Sequence, residues 1–142
     1  MRISDVLRHK GSDVATVPPT ASVSDVAATL TEHNVGALVV VDGDAVVGIV
    51  SERDVVRQLH QRGGELLSAP VAHIMTASVV SCAVDDTVDD LAAVMTARRI
   101  RHMPVLTAGQ LVGIVSIGDV VKSRIDQLET DRQQLEAYIT HG

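Results

Sequence analysis

Two short stretches of the chain carry residues suited to holding a small anion. Ser51-Glu52-Arg53-Asp54 and Ser116-Ile117-Gly118-Asp119 share the spacing S-x-x-D. If a helix begins at each serine, its unpaired N–H groups and its dipole favour an anion there. The aspartate three residues on is placed to accept hydrogen bonds from a pair of sugar hydroxyls. The same spacing also caps a helix, so Ser and Asp serve equally well to satisfy backbone donors. A third stretch supplies cations. Arg98, Arg99, Arg101 and His102 form a local concentration of positive charge in the front of an acidic chain. Such a cluster suits phosphate, or it complements the negative end of a helix.

Other chemistry is poorly represented. His9, His33, His60, His73 and His141 show no H-x-x-x-H or H-E-x-x-H spacing, which argues against a metal site. Cys82 is the single cysteine, so no intrachain disulfide forms. No His or cation is spaced to activate its thiol, which reads as a small core residue. There is no P-loop, no G-x-G-x-x-G and no G-x-S-x-G, and no residue is placed for acid–base work; an enzyme is not expected. A net charge of −6 opposes nucleic-acid binding, which needs clustered cations along a backbone. The longest apolar run, 35–50, is interrupted by Asp42 and Asp44, so no membrane span is expected. The first residues lack the apolar core of a secretory signal, and a cytoplasmic protein is the default. With no Phe or Trp and Tyr138 as the single Tyr, a bound base would have to lie between aliphatic side chains.

These residues are positioned by a duplication. Gly48-Ile49-Val50-Ser51 recurs as Gly113-Ile114-Val115-Ser116, and the same offset of 65 aligns 14–56 with 79–121 without a gap. Each unit reads as a short strand (14–17; 79–82), a helix capped by Ser22 or Thr87, two strands and a second helix starting near Ser51 or Ser116. Asp25 and Asp90 complete what looks like a capping box. Val23, Val26, Ala27 and Leu30, with Val88, Leu91, Ala92 and Met95, mark the buried helix faces. Asp42-Gly43-Asp44 and Thr107-Ala108-Gly109-Gln110 read as hairpin turns, and Gly63-Gly64 ends the first unit's last helix. Neither unit of about 60 residues buries enough surface to be comfortable alone, so the two should pack sheet against sheet about a pseudo-twofold axis. The tail places Val121, Ile125, Leu128, Leu135 and Ile139 at 4-3 spacing, interrupted by Arg132. That is an amphipathic helix, which either packs back on its own domain or pairs with a second subunit.

The repeated G-h-h-S-x-x-D and the strand-helix-strand-strand-helix order resemble the CBS domain family, and two copies in tandem look like a Bateman module. The resemblance covers nearly the whole chain. Ser51-Glu52-Arg53-Asp54, Arg101-His102-Met103-Pro104-Val105 and the charged C-terminal helix are similar to stand-alone CBS pairs of bacteria and plant organelles. The fold expected from it is α/β (α+β), two βαββα motifs plus the C-terminal helix. Residues 1–62 form motif 1, 63–70 a linker, 71–122 motif 2 and 123–142 the C-terminal helix. The resemblance implies an adenine-nucleotide ligand (AMP, ADP, ATP, NAD or S-adenosylmethionine) in a cleft between motifs. It places phosphate-contacting groups at Arg101 and His102, beside Met103 and Arg99. The adenine edge would be read at Thr16 and Ser81, with Val79 and Val80 as apolar walls. The cleft expected to fill first joins Asp119 and Ser116 to Arg101 and His102; Asp54, Ser51 and Arg53 form a second. The function implied is a regulatory sensor acting through a homodimer and a regulated protein partner, with a ligand-free scaffold as the alternative.

Overall fold

The computed structural model describes residues 1–141. A helix α1 (Ile3–Lys10) precedes the first unit: strand β1 (Thr16–Val17), helix α2 (Val23–His33), strands β2 (Ala37–Asp42) and β3 (Ala45–Ser51), and helix α3 (Glu52–Arg62). Two 3-10 turns, Gly63–Ser68 and Val71–His73, lead to the second unit. That unit contains helix α4 (Val88–Arg98), strands β4 (His102–Thr107) and β5 (Gln110–Ser116), and helix α5 (Ile117–His141). The sheets are β1-β2-β3, with β1 parallel to β2, and the hairpin β4-β5.

The duplication extends to fine detail. Both hairpins carry a register shift at equivalent places, Val40/Val41 and Val105/Leu106. Ser22 and Thr87 cap α2 and α4 by accepting from Asp25 N and Asp90 N. The reciprocal half of the capping box is found instead at Ser51/Asp54 and Ser116/Asp119. Asn34 and Arg99 both end their helices in the left-handed region, at φ 52° and 55°. Two expected elements shrink: the strand at 14–17 is confined to Thr16–Val17, and the strand at 79–82 is reduced to a single bridge, Cys82 to Val105. Its two hydrogen bonds, Cys82 N to Pro104 O and Leu106 N to Cys82 O, are all the pairing a Pro-bearing β4 gives there.

Two cores result, and each unit lends a segment to the other. Val17, Val23, Val26, Leu38, Val40 and Val50 of the first unit pack with Leu66, Val71 and Ile74, so residues 63–70 carry a core side chain as well as connecting. In the second core, Ile3, Val6 and Leu7 of α1 pack with Val88, Leu91 and Met95. Gly48 and Gly113 permit this exchange. A Cβ at Gly48 would come within 2.5 Å of Met75 Sδ, and one at Gly113 within 2.7 Å of a Leu7 methyl. Met75 and Leu7 are thus counterparts, each laid across the glycine of the unit it covers.

The tail does not pack back on its own domain. Val120 and Ser123 of α5 are buried, and every residue from 124 to 141 is exposed.

Candidate functional site

The serine–aspartate pairs form the helix caps that the sequence allowed. At the start of α3, Ser51 Oγ accepts from Asp54 N at 3.3 Å, and Asp54 Oδ2 accepts from Ser51 N at 2.8 Å and from Ser51 Oγ at 3.1 Å. At the start of α5, Asp119 N donates to Ser116 Oγ at 3.2 Å and Ser116 N donates to Asp119 Oδ2 at 2.8 Å. The difference between the two lies in what stands beside them.

Next to Asp54 a cavity of about 460 Å³ opens between the units. Its walls from the first unit include Ile49, Ser51, Glu52, Arg53, Asp54 and Arg57. The second unit contributes Thr76, Ser78, Val80, Arg99, Arg101 and His102. Asp54 takes its recorded bonds on Oδ2, which leaves Oδ1 for another donor. Two carboxylates, three hydroxyls and four arginines are therefore gathered around a space large enough for a small ligand.

Next to Asp119 the chain itself supplies a cation. Lys10, at the end of α1, donates through Nζ to Asp119 Oδ2 at 2.7 Å and to Ile114 O at 2.9 Å. In the first unit the counterpart of Ile114, Ile49, pairs instead with the backbone of Thr76. The chain after Met75 forms no helix, so no side chain is carried onto Asp54 as Lys10 is onto Asp119.

The pairing of cations with carboxylates also differs from expectation. Arg101 and His102 line the cleft of Ser51, Arg53 and Asp54, while His102 also pairs with Ser116 on β5 and feels the charge of Asp119. The reason is the approximate twofold relation, which directs the start of β4 across the boundary between units. Gly36, the counterpart of Arg101, leaves room for this: a Cβ there would meet Glu52 Oε1 at 3.1 Å and His102 Nε2 at 3.3 Å. Of the remaining expected residues, Arg99 and Val80 line the same cleft. Met103 is buried in the second core, Thr16 and Ser81 are exposed elsewhere, and Val79 is half-buried outside the lining. Arg57, Thr76 and Ser78 were not anticipated. Arg57 had a signal, since it follows Arg53 by four residues and so shares its helix face.

Charge is distributed unevenly across this region. Burial holds His102 below the ordinary imidazole value, and the Lys10 ammonium adds to the effect; Glu52 and Asp119 oppose it. Burial pushes the Asp119 carboxyl up, but the Lys10 and Ser116 hydrogen bonds outweigh it and leave the group below its usual range. Burial, aided by Asp86, raises the Cys82 thiol to about 11, which makes it inert. Arg99 holds a left-handed conformation that favours Gly or Asn.

Comparison with known proteins agrees with this architecture. The CBS domain model matches residues 3–61 and 71–126. The CBS domain-containing protein CBSX3, mitochondrial, of Arabidopsis thaliana is 37% identical over 99% of this chain and 72% of its own length. The crystal structure of the CBS-domain containing protein ATU1752 from Agrobacterium tumefaciens superposes with a TM-score of 0.85 at 45% identity, covering 87% of this chain and 99% of that one. The CBS domain protein PAE2072 from Pyrobaculum aerophilum, solved complexed with AMP, has a TM-score of 0.75 at 32% identity, over 84% and 89% of the two chains. With two matched segments, a mixed α/β fold and solved relatives of the same build, this chain belongs to the CBS domain family, as a tandem pair.

Proposed function

We propose that the chain is a regulatory module that binds one adenine nucleotide in the Asp54 cleft, in the cytoplasm, as a homodimer that transmits occupancy to a protein partner. The observation that carries this reading is the open, cation-lined cavity beside a capped carboxylate. Asp54 would accept from the ribose hydroxyls. Arg101, Arg99 and Arg53 would hold phosphate, with His102 joining once protonated. Ile49, Ala37 and Val80 would flank the base, replacing the aromatic platform that the chain lacks. A solved relative in complex with AMP supports the ligand class. A buried free thiol in place of a disulfide suits a reducing compartment. The positioned binding groups support regulation as the chain's role.

Thermal unfolding with AMP, ADP, ATP, NAD and S-adenosylmethionine tests the reading. A ligand at about 100 times its Kd adds about 2.7 kcal/mol, a rise of several degrees for a domain of this size. No rise with any of the five at millimolar concentration would overturn it and leave the ligand-free scaffold, which the exposed C-terminal helix also suits.

A further inference from the structure

The helix α5 is the least explained part of the molecule. At about 1.5 Å per residue, its 25 residues extend roughly 37 Å, yet only the first turns touch the domain. The exposed stretch 124–141 has no core of its own, and helices of this length are marginal in water without packing. Its apolar residues nevertheless fall on one line: Val121, Ile125, Leu128, Leu135 and Ile139, spaced four and three, with Leu128 63% and Ile139 72% exposed. Val120 and Ser123, the residues that anchor α5 to the domain, lie well round the helix from that line. The seam is therefore unobstructed by its own subunit.

We propose that α5 pairs with α5 of a second copy of this chain as an antiparallel two-stranded coiled coil centred near Thr130. This rests on the homodimer reading above and specifies its contact. In heptad terms Ile125, Arg132 and Ile139 occupy one core position and Val121, Leu128 and Leu135 the other. A parallel pair in register would set Arg132 against its own copy, two like charges in one layer. The antiparallel register sets Arg132 against Leu128 of the second copy, close to that copy's Glu129 and Asp131. It also layers Val121 on Ile139 and Ile125 on Leu135, and it places Lys122 opposite Glu136 at both ends. Every layer then has an apolar member. The two Arg132 side chains lie among the Glu129 and Asp131 carboxylates that this register gathers at the centre, while Arg124 keeps its own-domain partner Asp89. A lipid surface is a poorer match, because the stretch 122–136 carries Asp126, Glu129, Asp131 and Glu136 against Lys122, Arg124 and Arg132.

The test uses the full chain. Sedimentation or light scattering of the wild type should give twice the 15.0 kDa chain mass. Leu128→Asp/Leu135→Asp, two exposed sites remote from both cores, should halve that mass while thermal unfolding of the domain persists. Variants with one added cysteine, Val121→Cys and Ile139→Cys, then report direction, since the buried Cys82 does not compete. In the antiparallel pair two copies of residue 121 lie about 27 Å apart, so disulfide-linked dimer should appear only when the two variants are mixed. Cross-linking of each variant alone would overturn the antiparallel register. A double variant that stays dimeric would overturn the α5 seam and leave the homodimer, whereas a monomeric wild type would overturn both.

Discussion

The two clefts of this molecule come from the same ancestral pattern and have diverged in opposite directions. Around Asp54 the covering segment contributes Thr76 and Ser78 after Met75, and four arginines and a histidine from both units border the opening. Around Asp119 the covering segment is the helix α1, whose Lys10 closes on the carboxylate. Gly36 and Ala37, the sequence counterparts of Arg101 and His102, line the Asp54 cleft as well and carry no charge. One carboxylate thus borders an open, arginine-lined space, and the other is paired with a cation of its own chain. The lesson is that S-x-x-D marks the helix cap in both units, while the residues delivered across the boundary decide what that cap stands beside.

The largest expected effects concern the glycines on which the two covering segments rest. Alanine at either position overpacks a core, at a cost of about 1–3 kcal/mol. Gly113→Ala should cost more than Gly48→Ala, because branched Leu7 yields less readily than Met75. It should also lift α1 and loosen Lys10 from Asp119. Equal unfolding temperatures for the two variants would remove this distinction.

Arg99→Gly should act in opposite senses on fold and site. Relief of the left-handed backbone raises stability by up to about 1 kcal/mol, while loss of the cation weakens nucleotide binding by about tenfold, the equivalent of about 1.4 kcal/mol. Chemical denaturation and a binding titration on the same sample measure both. Unchanged affinity would take Arg99 out of the site.

Lys10→Ala separates the two explanations of the closed cleft. The pair is partly exposed, so its removal should cost less than about 1 kcal/mol near neutrality. Asp119 lies below its ordinary value, so its contribution is present above that value and fades as pH falls through the lowered one. The wild type and variant should therefore converge in acid. Because no cation replaces Lys10, the opened cleft should still take no nucleotide. Appearance of a second binding event would show that Lys10 alone excludes it.

The smallest effect is a protonation signature. His102 lies below the ordinary value of about 6.5 and is neutral in the free protein near pH 7. A phosphate beside it favours the imidazolium, so binding should take up a proton and tighten as pH falls below neutrality. Titration heats measured in buffers of different ionisation enthalpy report that uptake. His102→Asn should diminish it, and an undiminished uptake would assign the proton to the ligand alone.

Much of this was legible in the residues, and the illegible parts share a cause. The duplication, the helix caps at Ser22, Ser51, Thr87 and Ser116, the hairpins and the buried helix faces depend on spacings of a few residues, and sequence records those directly. The strand expected at 79–82 failed because its β4 partner offers little pairing beside Pro104. The partnership of Arg101 and His102 with Asp54 depends on how two units meet, which no local spacing encodes. Lys10 is the sharpest case. It lies outside the repeated segment and 109 residues from Asp119, so nothing near either residue announces their contact.

Calorimetric titration of AMP into the wild type, Asp54→Asn and Asp119→Asn bears most directly on the division between the clefts. Asparagine keeps an oxygen for the helix cap and removes the charge, so the fold should survive in both variants. One nucleotide per chain is expected for the wild type and Asp119→Asn, with at least tenfold weaker binding for Asp54→Asn. Two nucleotides per chain, or a loss confined to Asp119→Asn, would contradict it.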